Sequence, residues 1–237
     1  MRPSPFRHAL PSVAATPCLK GPGPDHVSRL DAMPRVNLLA NAACGGLTTT
    51  GLAAVAQDPG VAAALSQAES VTLTIGGNDL RLGDLLAACT PAATPTCFAA
   101  VGAAEAQLPV VSSNVRQSVE VVAGATGGGA KVLVLGYPRL FAPSGVPGLV
   151  DAQTAAIVNG GVDNLNAAIR AGVSGPDNVE FVPVAHRFAG HGLGSADPWI
   201  AFEGPGDPDS LHPTSEGYLE GYLPAVRSKV NIGKLGR

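Results

Sequence analysis

The 237-residue sequence is poor in several residue types, and each shortage excludes a class of protein. Charged residues make up 14% of the chain and the net charge is −3, so the sequence offers no basic surface of the kind that binds nucleic acid. Aromatic residues make up only 4%, but 46% of the chain is hydrophobic, which is sufficient for a core and excludes a disordered chain. No apolar run approaches the roughly 20 residues of a spanning helix, so we expect no stable membrane insertion.

Cysteine is also scarce, with single residues at positions 18, 44, 89 and 97. They form no C-x-x-C motif and no Cys/His cluster with zinc spacing, so we expect no metal site. Cys89 and Cys97 bracket a Pro/Thr-rich loop that a disulfide would close, and Cys18 and Cys44 are far enough apart to tie an N-terminal segment to a later loop. The even count favours two disulfides and an oxidising compartment; four free buried thiols are the alternative.

The sequence contains no convincing secretory signal. Arg2 and Arg7 lie near the N-terminus, but the residues that follow include Pro11 and lack an apolar segment. We therefore expect any export signal to lie outside this sequence.

Strand and helix signals alternate along most of the chain. Residues 1–34 are rich in proline and predict an irregular N-terminal segment, and no linker separates a second domain, so we expect a single domain over residues 1–237. Short apolar runs predict strands at 36–40, 71–75, 131–135 and 179–184. Helical patterns lie at 52–64, 98–122, 151–172 and from about 213 toward 228, with an interruption expected at Pro59 and a kink or a division at Pro109. This alternation predicts a parallel sheet covered by helices on both faces.

Polar and glycine-rich segments follow the predicted strands, where ligands bind in parallel α/β sheets. Asp209 precedes His212 by three residues, a spacing at which the carboxylate can orient the imidazole and leave its Nε2 atom free as a general base. The alternative is a helix start at which Asp209 or Ser210 is only a cap. The other four histidines have no carboxylate at this spacing.

Two glycine-containing turns provide candidate hydrogen-bond donors. Asn78 follows Gly76 and Gly77 directly after a predicted strand, and its side-chain amide can stabilise a developing oxyanion. Gly45 and Gly46 offer backbone N–H groups in a second turn. In both places the alternative is an ordinary tight turn without a catalytic role.

These segments together resemble the SGNH hydrolases, also called GDSL esterases and lipases, and in particular their secreted bacterial lipases. The matching segments are A-C-G-G-L-T-T at 43–49, V-T-L-T-I-G-G-N-D at 71–79, V-L-V-L-G-Y-P-R-L at 132–140, F-A-G-H at 188–191 and D-S-L-H-P-T-S-E-G-Y at 209–218. Each segment alone is weak evidence for the resemblance, but five segments in this order are specific to the family. The resemblance extends from about residue 18 to about residue 225.

The resemblance implies a three-layer α/β/α sandwich with a mostly parallel, flavodoxin-like central sheet and no cofactor. It implies a carboxylic ester hydrolase, an esterase or lipase, in which a serine nucleophile is activated by His212 and Asp209 orients the histidine. The oxyanion would be held by the Asn78 amide and by the N–H groups of Gly46 and of the nucleophile.

The same resemblance implies the protein's partners and its location. The substrates would be small esters or lipids, from acyl glycerols to acetyl and aryl esters, and the protein would be secreted. In the secreted branch the disulfides pair as Cys18–Cys44 and Cys89–Cys97 would here. The loops at 140–151 and 188–202 would set the acyl-chain length accepted, with Phe202 and Trp199 as candidate lining residues, although a single Trp is as often a packing anchor.

The resemblance fails at the family's first segment. There a buried strand ending in Gly-Asp-Ser supplies the nucleophile, and this sequence contains neither G-D-S nor G-x-S-x-G. Ser4 stands roughly where the nucleophile is expected, but Pro3 and Pro5 flank it and the strand appropriate to that position is missing.

The missing strand has a large energetic consequence. The family places it between the strands matching 36–40 and 71–75, where its burial would contribute on the order of 8–15 kcal/mol, as much as the net stability of a domain. We therefore expect the slot to be filled by residues encoded further upstream, by segment 8–15 or 230–235, or by direct pairing of the two flanking strands.

Two other functions stay open on the sequence alone. A catalytically inactive relative would bind an acyl or glycan ligand in the same cleft, with no serine hydroxyl within hydrogen-bond reach of His212. A nucleotide-binding α/β protein is disfavoured, because neither G-x-G-x-x-G nor G-x-x-x-x-G-K-[ST] follows any predicted strand.

Overall fold

A three-stranded parallel sheet forms the centre of the computed structural model, which describes residues 24–204, 207 and 209–231. The strands are β1 (Ser70–Leu73), β2 (Lys131–Leu135) and β3 (Val179–Val182), in the spatial order β1-β2-β3. Val71 lies beside Val132 in one pair of strands, and Val132 lies beside Val179 in the other. Three of the four predicted strands are therefore confirmed to within two residues at each end.

Helices precede and follow each strand, as the sequence predicts. In the described ranges they are α1 (His26–Asp31), α2 (Thr49–Gln57), α3 (Pro59–Leu65), α4 (Leu82–Cys89), α5 (Pro95–Ala125), α6 (Ala152–Gly172) and α7 (Leu223–Arg227). Short 3-10 turns cover Asn78–Leu80 and Ala185–Phe188, and a π-helical turn at Gly217–Tyr222 leads into α7. None of the helices among the described residues is both long and apolar enough to cross a membrane.

Side-chain caps fix two of the predicted helix starts. The Asp151 carboxylate accepts a hydrogen bond from the Thr154 N–H at 2.7 Å, which begins α6. Asp58 accepts from the Gly60 N–H at 2.9 Å and from the next N–H of α3, so that α2 ends and α3 begins where Pro59 predicts a break. Each such cap contributes about 1 kcal/mol to stability.

The two faces of β2 belong to two apolar clusters. Val132 and Val134 cluster with buried residues of α2, α5 and α6, whereas Leu133 and Leu135 cluster with residues of α6, α7 and Tyr222. These four β2 side chains are fully buried, and only the fifth, that of Lys131, is partly exposed. Helices therefore cover both faces of the sheet, which is the α/β sandwich that the resemblance implies.

The N-terminal segment is more regular than the sequence predicts. Residues 26–31 form α1, because the Asp25 carboxylate accepts a hydrogen bond from the Ser28 N–H at 2.7 Å and caps the helix. The prediction of an irregular segment over 1–34 is wrong for these residues. Ser4, Cys18 and the rest of residues 1–23 lie outside the described residues.

The prediction of a strand at 36–40 is wrong, because this segment has no regular secondary structure. A strand needs a neighbour for its backbone N–H and C=O groups. In the described part of the chain β1 pairs only with β2, so the two predicted flanking strands do not pair directly. Segment 8–15 and residues 232–235, which are the other candidates for the slot, lie outside the described residues.

Proline inside α5 does not divide the helix. Pro109 lies in the continuous helix Pro95–Ala125, on its exposed side. The missing proline N–H leaves only the Glu105 carbonyl without its helical partner. Glu105 is itself exposed, so water can satisfy that carbonyl and the helix continues.

A disulfide joins the end of α4 to the start of α5. Cys89 and Cys97 are bonded with their Cα atoms 4.4 Å apart, which confirms this predicted pair. Cys44 is disulfide-bonded as well, and none of the described cysteines is free. The alternative of free thiols is therefore wrong for the described cysteines.

Candidate active site

A cleft of about 2110 Å³ lies beside β1. Every residue of β1 lines it, together with residues 35–47, parts of α1 and the segments at 201–204 and 209–215. Four residues singled out from the sequence, Gly46, Asn78, Asp209 and His212, all line this cleft. It occupies the space between β1 and the segment at 36–40.

The edge of β1 that faces away from β2 lines the cleft. The Lys131 N–H donates to the Glu69 C=O at 3.0 Å, which sets the alternation of the parallel ladder. The backbone groups of residues 69, 71 and 73 therefore point toward β2, and those of Ser70, Thr72 and Thr74 point away from it. No strand among the described residues pairs with this second edge.

Two glycines are required in the turn that follows β1. Gly76 has φ +107°, a conformation that an L side chain rarely adopts. Gly77 lies against Tyr137, whose ring would be only 2.9 Å from a Cβ atom at that position. The Gly77 N–H donates to the Tyr137 hydroxyl at 3.0 Å, so the close approach is used in a hydrogen bond.

Tyr137 is itself held firmly. The Asn166 side chain accepts from the Tyr137 N–H at 2.8 Å and donates to the Tyr137 C=O at 2.9 Å. Burial raises the pKa of Tyr137 to about 12, so the hydroxyl stays neutral at physiological pH. The turn that carries Asn78 is thus anchored to α6 through one partly buried tyrosine.

Asn78 and Gly46 place two hydrogen-bond donors in adjacent turns. The Asn78 side-chain amide donates to the Leu47 C=O at 3.0 Å. An amide nitrogen carries two hydrogens, and the second has no acceptor among the described residues. Gly46 is exposed with φ +78°, and its N–H has no acceptor in the described part of the chain either. Both donors are available to a group bound in the cleft.

Asp79 was given no role from the sequence, yet it joins these two turns. Its carboxylate accepts hydrogen bonds from the Thr49 N–H at 3.0 Å and from the Thr49 hydroxyl at 2.5 Å. The two residues are 30 positions apart. The available sequence signal was a carboxylate next to Asn78 and a threonine at a predicted helix start.

His212 is exposed at the cleft on a backbone held by its neighbours. The Leu211 N–H donates to the Ala201 C=O and the Ala201 N–H donates to the His212 C=O, both at 2.8 Å. The His212 N–H donates to the Asp209 C=O at 3.4 Å. Within the described ranges, no hydrogen bond or ion pair joins the Asp209 carboxylate to the His212 ring. Leu211 has a left-handed backbone with φ +67°, so the chain between Asp209 and His212 does not follow a helical turn.

A histidine–aspartate contact that the sequence did not predict lies elsewhere. The His191 Nδ1 is 3.2 Å from the Asp197 carboxylate, and the His191 ring stacks on Trp199 with centroids 3.6 Å apart. None of the three lines the cleft, so Trp199 is a packing residue here. Phe202 does line the cleft, as do Leu140 and Leu149 of the loop at 140–151.

His26 is an unusual lining residue. Its ring stacks against Tyr218 and Tyr222, with centroids 5.8 and 5.7 Å away, and neither ring nitrogen has a hydrogen-bond partner among the described residues. Burial lowers the pKa of His26 to about 4 despite the neighbouring Asp25. The imidazole is therefore neutral at physiological pH.

Metal-ligand residues do not cluster in the described ranges. No group of three or more His, Cys, Asp or Glu side chains there could hold a metal ion. The candidate nucleophile Ser4 is not among the described residues, so the structure positions the two candidate oxyanion donors and the candidate base without it.

Comparison with known sequences gives consistent results. A model of the GDSL-like lipase/acylhydrolase family matches residues 12–219. A lipase of Streptomyces rimosus is 34% identical over 169 residues, which are 69% of this chain and 61% of that lipase. The chain thus spans less than two thirds of the length of this curated relative.

Two solved structures share the fold. The crystal structure of an extracellular lipase from Streptomyces rimosus superposes with a TM-score of 0.75 and 27% identity, covering 87% of this chain and 86% of that one. The structure of phospholipase A1 from Streptomyces albidoflavus gives a TM-score of 0.73 and 28% identity, with the same coverage of both chains.

Proposed function

This chain belongs to the GDSL-like lipase/acylhydrolase family, and on that premise we propose that it is a carboxylic ester hydrolase whose active site is the cleft beside β1. The observation that carries the proposal is the convergence of three distant segments. Gly46, Asn78 and the pair Asp209 and His212 come from separate parts of the sequence and line one cleft.

The oxyanion is stabilised by the two free donors. The Asn78 amide uses one hydrogen on the Leu47 C=O, the residue after Gly46, and this bond holds the amide beside the Gly46 turn in the same cleft. Donors that are already in place when negative charge develops lower the barrier without reorganisation. A tetrahedral oxyanion is the charge that acyl transfer produces.

His212 is the general base and then the general acid. A serine Oγ bonds to the ester carbonyl carbon while its proton moves to Nε2 of His212, and the carbonyl oxygen becomes the oxyanion. When the oxyanion collapses, the ester C–O bond breaks and His212 gives its proton to the leaving alcohol. A water molecule then repeats the sequence at the acyl-enzyme and releases the acid. Ser4 is the candidate nucleophile.

Asp209 orients His212 by accepting from its Nδ1–H. The backbone hydrogen bond between the two residues keeps them adjacent. Catalytic hydrogen bonds are often open in the free enzyme and close in the complex with substrate. We propose that the Asp209 carboxylate and the His212 ring meet when an ester occupies the cleft.

The substrates are esters or lipids, and the protein acts outside the cell. Aliphatic side chains such as Leu39, Leu52, Leu108 and Leu149 line the cleft and suit an acyl chain. The named relatives are lipases and a phospholipase A1, and one of them is extracellular. The Cys89–Cys97 disulfide supports secretion, because disulfides persist in oxidising compartments.

Hydrolysis of p-nitrophenyl esters by the full chain tests this function. We expect His212→Ala to lower kcat by about 10²–10⁴-fold, the usual contribution of general acid–base catalysis. We expect Asn78→Ala to lower it by about 10²–10³-fold, as loss of one oxyanion donor does. His186→Ala is the matched control, because His186 is also exposed but does not line the cleft.

Two results would contradict the proposal. One is full activity in His212→Ala. The other is a wild-type chain that neither hydrolyses esters nor reacts with a fluorophosphonate probe, which would favour a relative that binds its ligand without catalysis.

A further inference from the structure

The turns that carry the two proposed oxyanion donors are joined by three hydrogen bonds. One runs from the Asn78 amide to the Leu47 C=O at 3.0 Å. The other two run from the N–H and the hydroxyl of Thr49 to the two oxygens of the Asp79 carboxylate. Asp79 directly follows Asn78, and Thr49 is three residues after Gly46. The two Asp79 bonds therefore span the gap between the turns.

Asp79 caps α2 from a distant part of the chain. Thr49 is the first residue of α2, and the preceding Thr48 makes no capping hydrogen bond with its own side chain. The first N–H groups of a helix lack intrahelical partners and carry partial positive charge. A carboxylate that takes both the N–H and the hydroxyl of Thr49 satisfies this end with charge-assisted bonds.

Both partners of this contact are fixed to the scaffold. Thr49 is 2% exposed, and its C=O accepts a hydrogen bond from the Ser118 hydroxyl of α5 at 3.1 Å. On the other side, the Gly77 N–H is held by the Tyr137 hydroxyl. The Asp79–Thr49 contact therefore connects two anchored turns, and it sets the distance between them.

We propose that Asp79 is a positioning residue, which places the Asn78 amide relative to the Gly46 N–H through its bonds to Thr49. Asp79 and Thr49 do not line the cleft, so neither touches the substrate. Oxyanion stabilisation depends on donors that are placed within a few tenths of an ångström. This inference rests on the proposed function, because it concerns the geometry of the proposed oxyanion hole.

Two substitutions weaken the contact without removing much volume. Asp79→Asn replaces two charge-assisted bonds by weaker neutral ones, with the new amide donating to the Thr49 hydroxyl, and Thr49→Val deletes the hydroxyl. We expect each to lower kcat on p-nitrophenyl esters by about tenfold or more, less than the roughly 10²–10³-fold loss for removing a donor itself, with KM changed by less than about twofold. Thr49→Ser keeps the hydroxyl and should keep most of kcat. The double variant should be no worse than the poorer single variant.

Asp58→Asn is the matched control for stability. Asp58 also caps a helix with its carboxylate, through the N–H groups at the start of α3, and it does not line the cleft. We expect Asp58→Asn and Asp79→Asn to lower Tm by similar amounts. Only Asp79→Asn should lower kcat. An equal loss of kcat in both variants, or none in Asp79→Asn, would overturn the positioning role.

A spectroscopic readout separates this inference from the proposed function. We expect the ¹⁵N–¹H signals of the Asn78 side-chain amide to shift in Asp79→Asn and to stay in place in Asp58→Asn. An inactive wild-type chain that still gives this shift would contradict the hydrolase and leave the positioning intact. Unchanged Asn78 signals in Asp79→Asn would overturn the positioning, whatever the activity.

Discussion

Strands β1 and β2 are neighbours in register, but they are buried very differently. The four β2 residues from Val132 to Leu135 are 0% exposed, whereas all four residues of β1 are only half-buried. Both strands contain β-branched and aliphatic residues, and Val71 stands directly beside Val132. Among the described residues the difference comes from the neighbours, because β2 has a strand on each side and β1 has the cleft on one side.

This difference explains why the proposed site lies beside β1. A central strand has all its backbone groups paired, so it offers nothing to a ligand. At the second edge of β1 the N–H and C=O groups of Ser70, Thr72 and Thr74 face the cleft, and no described strand pairs with them. Unpaired backbone groups at a strand edge cost little free energy when water can bind them, whereas buried backbone groups need a hydrogen-bond partner in the protein.

A proline in each strand provides the strongest test of this comparison. In β2, Val134→Pro would remove an N–H that donates to β3 and place the ring in the core, and we expect no cooperative unfolding transition to remain. In β1, Thr72→Pro removes an N–H that points away from β2, and we expect a loss of about 1 kcal/mol. Urea unfolding followed by circular dichroism measures both. Equal damage from the two prolines would mean that the second edge of β1 is paired in solution.

His26 offers the opposite case to the β1 edge, because its unpaired polar atoms are shut away from water. Its pKa is lowered from 6.5 to about 4, so the unfolded chain binds a proton between these values and the folded chain does not. The free energy of unfolding should therefore be highest above pH 6.5 and fall by about 3 kcal/mol as the pH decreases to 4. Urea titrations at a series of pH values between 7 and 4 measure this fall.

The control for this pH effect keeps the aromatic stack. His26→Phe can still pack against Tyr218 and Tyr222 but cannot titrate, so most of the fall above pH 4.5 should disappear. The unfolded chain protonates carboxyl groups such as that of Glu180 near their ordinary pKa of about 4.5, and the folded chain protonates them at lower pH because their pKa is lowered. Their effect on the free energy of unfolding therefore begins at lower pH than that of His26. An identical fall in His26→Phe would show that the buried imidazole is not its cause.

Sequence patterns predicted the elements whose buried positions follow from the residue pattern of the element itself. Residues 132–135 form a continuous apolar run, and this run coincides with the buried part of the strand, which begins one residue earlier at Lys131. The apolar positions of α6 repeat with helical spacing, and Asp151 marks its first turn. The segment at 36–40 has similarly apolar residues, but whether it becomes a strand depends on a neighbour that the described residues do not supply.

In the candidate site, too, local motifs identified residues, whereas contacts between distant residues were not predicted. The motifs identified Gly46, Asn78, Asp209 and His212, and all four line one cleft. The contact between Asp79 and Thr49 joins residues 30 positions apart, and no periodicity or spacing rule connects them. The left-handed conformation of Leu211 likewise depends on its pairing with Ala201, so residue spacing alone did not predict the relative positions of the Asp209 and His212 side chains.

The smallest effect gives the finest test of the comparison between the two strands. Val132→Ala and Val71→Ala delete the same two methyl groups at paired positions of β2 and β1. We expect a loss of about 2 kcal/mol for Val132, which is fully buried, and about 1 kcal/mol for Val71, which is half-buried beside the cleft. Chemical unfolding resolves a difference of this size when the slope with denaturant is unchanged. Equal losses would mean that Val71 is as fully packed as Val132, and the cleft beside β1 would then be occupied in solution.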